Sequence, residues 1–141
     1  MDEHFASLHI GSPLPVVSKQ AITRSTLALF AGASNDDNPL HIDIDFARAA
    51  GLDDVIAHGM LIMAYLGQVL TVWVPQTAIR SYEVKFAAMT AVGDQITCQG
   101  EVIDTYQLHG ENLARVAMHA TDQHGETKIS GEAIVAFAPE H

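Results

Sequence analysis

Residues 55–79 read VIAHGMLIMAYLGQVLTVWVPQTAI, and they contain no Asp, Glu, Lys or Arg. A stretch of this length is long enough to cross a bilayer. Its interior argues otherwise, because His58, Gln68 and Gln76 are polar, and Gly59, Gly67 and Pro75 interrupt the run. Its flanks are not basic. A helix apolar all round can equally be buried in protein. The stretch is therefore read as a buried helix that starts at His58 or Gly59. It runs through Met60, Leu61, Met63, Leu66, Val69, Leu70 and Trp73 and stops at Pro75, which has no N–H to continue it. No membrane association is expected.

C-terminal to this helix the period changes from helical to alternating. Tyr82, Val84 and Phe86 alternate with Ser81, Glu83 and Lys85, the pattern of a half-buried strand. Gly93-Asp94 marks a turn, and Ile96, Cys98 and Val102 continue on a second strand. Gly110 and Asn112 mark the next turn, before Val116, Met118 and Ala120 on a third strand. Gln123-His124-Gly125 turns again into a last strand from Ile129 to Phe137.

N-terminal to the helix, Pro15 to Ile22 is expected to hold a short strand with Val16 and Val17. Thr23 is an N-cap for a short helix through Leu27 and Phe30, with Gly32 as its stop. Residues 32–43 read as loop, being rich in Gly, Ser, Asn, Asp and Pro. Asp43 caps a second short helix that ends at Gly51. Helices first and antiparallel strands after give an α+β layout, one long helix against a curved antiparallel sheet. At 141 residues the chain is expected to form one domain, residues 1–141.

The composition narrows the function. A formal net charge of -10 repels nucleic acid and anionic membrane surfaces. The single cysteine, Cys98, allows no intrachain disulfide and agrees with a cytoplasmic location. The first ten residues, MDEHFASLHI, are acidic where a signal peptide would be basic.

Candidate chemistry sits in the loop before the helix. Asp36 and His41 lie five positions apart with Pro39 between them, beside the most apolar stretch of the chain. An Asp and a neutral His can together hold one water and take its proton. Asn38 is expected to fix the loop by hydrogen bonding. His41, Asp43 and Asp45 alternate as metal ligands could, but Asp43 and Asp45 at a helix start are better explained by capping and the dipole, so no metal is expected. His58 is expected to be a hydrogen-bonded residue that orients the turn into the helix. Met60 is core first. Arg24, Arg80 and Lys85 are candidates for ligand phosphates, with a solvated surface role favoured for each.

Ser34-Asn35-Asp36-Asp37-Asn38-Pro39-Leu40-His41, then Asp43, Phe46, Ala47, Gly51 and Ile56-Ala57-His58-Gly59-Met60, resembles the hydratase motif of the MaoC-like (R)-specific enoyl-thioester hydratases and 3-hydroxyacyl-thioester dehydratases. The resemblance implies a hotdog fold, in which an antiparallel sheet wraps a long central helix. It makes Asp36 and His41 the catalytic pair and Gly59 the residue whose backbone N–H polarises the thioester carbonyl. Asn38, His58 and Met60 accompany them as candidate substrate-binding positions. Asp37 departs from the pattern, standing where an apolar residue is expected. It is expected to point to solvent, since facing Asp36 would set two carboxylates against each other.

The implied reaction is hydration of trans-2-enoyl thioesters to (3R)-3-hydroxyacyl thioesters, or the reverse. It needs no redox cofactor; coenzyme A or phosphopantetheine belongs to the substrate. The implied partners are an acyl-coenzyme A or acyl-carrier-protein thioester and a second hotdog chain, identical or different. A hotdog thioesterase and a non-catalytic acyl-binding subunit are the alternatives. The first would need its water activated at the thioester carbon, and the second would be expected to lack the Asp/His pair.

Overall fold

The computed structural model describes residues 5–138. Its elements are β1 (Val17–Ser18), α1 (Arg24–Ser34), α2 (Ile44–Ala49), α3 (Gly59–Thr71), β2 (Ile79–Phe86), β3 (Thr97–Leu108), β4 (Glu111–Thr121) and β5 (Thr127–Phe137). The strands form one antiparallel sheet in the order β1-β3-β4-β5-β2. α3 packs on its concave face through Leu61, Ile62, Leu66, Val69 and Leu70, all buried. They meet Val102, Val116, Ile129 and Val135 from the sheet in one apolar cluster. Burying each such side chain contributes about 1.5–3 kcal/mol, so this contact is the main tie between helix and sheet.

α3 is not buried all round. Met60, Ala64, Gln68 and Thr71 share an exposed face. The charge-free stretch also yields a shorter helix than it first suggests. α3 ends at Thr71, four residues before Pro75, and Trp73 and Val74 fold back into the core after it. No helix among the described residues is long and apolar enough to cross a membrane.

Other differences have local causes. α1 passes through Gly32 and ends two residues later, because Asn35 takes the left-handed conformation (φ 58°) that terminates helices. The expected strand over Pro15–Ile22 shrinks to Val17–Ser18, paired with Cys98 and Thr97. The β3–β4 turn is His109-Gly110, both at positive φ (51° and 78°), the pairing whose twist suits a two-residue hairpin. Asn112 already lies in β4.

Two glycines sit where neighbouring strands leave no room for a side chain. Val84, Gly131, Met118 and Gly100 form one row across β2, β5, β4 and β3. A Cβ on Gly131 would lie 2.2 Å from the Glu83 carbonyl oxygen, and one on Gly100 would lie 2.6 Å from that of Ala117. Only glycine lets the strands approach this closely.

Cys98 sits in the core with no exposed surface, and burial pushes its thiol up to about 11. The thiolate is the reactive form. At pH 8 the folded protein should therefore resist a disulfide exchange reagent and react only after denaturation. Stoichiometric labelling of the native protein within minutes would contradict this placement.

Candidate active site

The site forms where α1, the loop after it and the start of α3 meet. Asn35 reverses the chain at the end of α1, and the Ser34 hydroxyl accepts from the Asp36 N–H. Asn38 caps a short 3-10 turn, Pro39–His41, its side-chain oxygen accepting from the Leu40 N–H. Pro39 suits the first position of that turn because it has no N–H to satisfy. Asp43 then caps α2, accepting from the Asp45 and Phe46 N–H groups. Its carboxylate is thereby explained by the backbone.

The only hydrogen bond that holds the His41 ring among the described residues comes from the backbone. Its Nδ1 lies 2.7 Å from the Ile56 carbonyl oxygen, while the Ile56 N–H donates to the Leu40 carbonyl. A carbonyl can only accept, so Nδ1 carries a proton, and in the neutral ring Nε2 is the nitrogen left to accept. That is the tautomer a proton acceptor needs. The Asp36 carboxylate is half-buried beside it, and the nearest nitrogens of His41 and His58 and the carboxylate all lie within 4.8 Å of one another. Asp37 is exposed.

His58 is 1% exposed. Its Nε2 donates to the Asp36 carbonyl at 3.0 Å, and its ring stacks on His41 with centroids 3.9 Å apart and planes 23° from parallel. The three residues resemble a metal-ligand set by distance alone. However, imidazole binds an ion in its ring plane, and an ion in the plane of one stacked ring lies outside the plane of the other. The arrangement suits proton transfer better.

Next to His58, Gly59 opens α3. Its N–H is the first of the helix and has no partner among the described residues, so it points its dipole outward. A Cβ there would meet the Phe86 ring at 2.9 Å, so glycine lets that ring lie close against the start of α3.

A pocket of about 390 Å³ runs from this point, walled by His41, Ile56, Gly59, Ile62, Phe86 and Ile129. Of the expected site residues, His41 and Gly59 are on its wall, while Asp36, Asn38, His58 and Met60 are not; Met60 is 55% exposed, correcting its expected place in the core. Arg24 and Arg80 are engaged by Asp54 and Glu111, while Lys85 is exposed on β2.

Nothing in the residue pattern singled out Lys128, at the start of β5. Its Nζ donates to the Met89 carbonyl (2.9 Å) and to Glu126 (2.5 Å), with Asp122 at 3.3 Å and Asp94 at 3.8 Å. Burial alone would pull this ammonium down, but the bonds to Glu126 and Asp122 outweigh it and leave it raised. Lys128 thereby ties β5 to the loop 87–95, whose first residues form the pocket's outer wall. Lys128→Met leaves three carboxylates around a missing cation and should lower the melting temperature clearly. Arg80→Met removes only an exposed ion pair, of the kind that contributes little, and should leave it nearly unchanged. Equal melting curves for the two variants would contradict the role given to Lys128.

A curved antiparallel sheet around one helix, with an acid and an imidazole gathered at that helix's N-terminus, defines a hotdog-fold protein. The chain belongs to the MaoC-like domain family, whose profile matches residues 5–124. It is similar to the (R)-specific enoyl-CoA hydratase of Aeromonas caviae, 31% identical over 111 residues, covering 77% of this chain and 81% of that protein. It is also similar to a mitochondrial 3-hydroxyacyl-(acyl-carrier-protein) dehydratase of Solanum lycopersicum, 25% identical over 104 residues. There the match covers 74% of this chain but spans only 63% of the plant protein. Among solved structures, the unliganded R-hydratase PhaJ1 of Pseudomonas aeruginosa superposes with a TM-score of 0.83 at 28% identity, covering 97% of this chain and 86% of that one.

Proposed function

We propose that this protein adds water reversibly to trans-2-enoyl thioesters, giving (3R)-3-hydroxyacyl thioesters. The observation that carries the reading is the bond that orients His41: its Nδ1 is held by the Ile56 carbonyl, which leaves Nε2 as the acceptor of the neutral ring, in a residue that lines the pocket and lies close to Asp36. One water held between these groups loses a proton to the pair as its oxygen attacks C3. The pair returns a proton to C2. Charge that collects on the thioester oxygen meets the Gly59 N–H and the positive end of α3. No electrons leave the substrate, so the reaction calls for no redox cofactor, and coenzyme A or phosphopantetheine enters as the substrate's carrier. The R configuration is supported by the names of the similar hydratases.

A second hotdog chain, identical or different, is part of this reading. β2 is an edge strand, paired with β5 on one side only among the described residues. Phe86 at its end is 57% exposed, as is much of Met60 nearby on α3. An unpaired edge beside exposed apolar side chains is a surface that a soluble protein normally covers.

The test is the loss of enoyl-thioester absorbance with crotonyl-coenzyme A and longer homologues, followed by chiral analysis of the product. Rapid loss with a (3R) product is expected. No turnover with coenzyme A or carrier-protein thioesters of any chain length, or a (3S) product, would overturn the reading.

A further inference from the structure

Hydration at C3 and charge development on the C1 oxygen occur at a fixed separation in the substrate. The groups that serve them must hold a matching separation. In this chain they come from different segments, Asp36 and His41 from the loop after α1 and the Gly59 N–H from the start of α3. One side chain touches all of these segments. His58 is the N-cap residue of α3 and adjoins Gly59, yet its side chain makes no capping bond to the helix. It turns back instead, with Nε2 on the Asp36 carbonyl at 3.0 Å. One ring face stacks on His41 at 3.9 Å, and the ring meets Phe30 of α1 edge-on at 4.9 Å. The side chain is almost wholly enclosed, and its Nδ1 has no hydrogen-bond partner.

We infer that His58 is a positioning residue, the rigid link that holds the Asp36/His41 pair at a set distance from the Gly59 N–H. A bare buried nitrogen is costly to keep unless the rest of the ring is needed there. The need is double: Nε2–H holds the loop backbone, and the ring face backs His41 against rotation about its bond to Ile56. His58 is thus the Nε2–H tautomer and His41 the Nδ1–H tautomer, opposite tautomers in one stack. The inference rests on the hydratase reading for its kinetic consequence, but its structural content does not.

Two substitutions separate the parts. His58→Gln keeps an amide N–H near the place of Nε2, whereas His58→Phe keeps the ring and loses the donor. A displacement of about 1 Å in a catalytic group can cost on the order of 10²-fold in rate. His58→Phe should therefore lose about 10- to 100-fold in kcat with little change in KM. His58→Gln restores the donor but not the ring that backs His41, so it should recover part of that loss. A His58→Phe variant with wild-type kcat, or a folded His58→Gln variant no better than Phe, would overturn the inference. Imidazole nitrogen NMR on the wild type needs no substrate and no variant. It should show a protonated Nε2 at His58 and a protonated Nδ1 at His41, and the reverse at His58 would overturn the link. If wild type hydrates no thioester, the hydratase reading falls while this spectrum still decides the link.

Discussion

Asp36→Asn and His41→Gln should each slow hydration of crotonyl-coenzyme A by about 10² to 10⁴-fold, the range that positioned acid–base groups contribute. Asparagine keeps the volume of Asp36 and an oxygen for the Asn38 N–H. The bond that holds the loop to His58 uses the Asp36 backbone carbonyl, not the carboxylate, and survives the change. What is lost is the charge that helps take a proton from water. In His41→Gln the side chain can place an amide nitrogen, a donor, where Nε2 offered a lone pair. Because the two groups act on one water, the double variant should be little slower than the slower single variant. Initial rates beside near-ultraviolet circular dichroism of each variant would check this. Rates within a few-fold of wild type in both folded variants would remove Asp36 and His41 from the mechanism.

Gly59→Pro should be nearly as damaging, and for a different reason. Proline is well tolerated at the first position of a helix, where its missing N–H has no helical partner anyway. The preceding residue must be extended, and His58 already is, with φ -62° and ψ 131°. The substitution therefore deletes the proposed oxyanion donor while leaving the helix start in place. It also adds a Cβ against Phe86, and Gly59→Ala adds the same Cβ while keeping the N–H. Phe86 is largely exposed and can swing aside. The ratio of kcat between the Ala and Pro variants thus isolates the N–H. Loss of one such donor costs about 10²- to 10³-fold. A ratio near one would mean that Gly59 does not stabilise charge on the thioester.

Much of this was legible in the sequence, and the gaps have physical causes. The long apolar stretch and the alternating strands after it set out a helix wrapped by an antiparallel sheet, because burial enforces period on side chains. Strand ends were less legible, since backbone pairing sets them: β3 runs on to Leu108, well past Val102. The end of α1 was misplaced because Gly32 signals a stop, while Asn35, a weaker signal, makes it. Within the site, the resemblance to the hydratase motif, and not spacing alone, grouped Asp36, His41 and Gly59. It could not reveal that the Ile56 carbonyl selects the His41 tautomer, since a backbone group leaves no mark on residue type. Lys128 was invisible for a related reason. Its three carboxylates come from two different turns and its own strand's approach, and only the folded sheet brings them together.

The central claim is that water is added at C3 while the thioester stays intact. Turnover of crotonyl-coenzyme A in water enriched in heavy oxygen, followed by mass spectrometry, tests it most directly. The predicted product is an intact 3-hydroxybutyryl thioester with one heavy oxygen in its C3 hydroxyl. Heavy oxygen in a free carboxylate, with release of coenzyme A thiol, would contradict the account and make the protein a thioesterase.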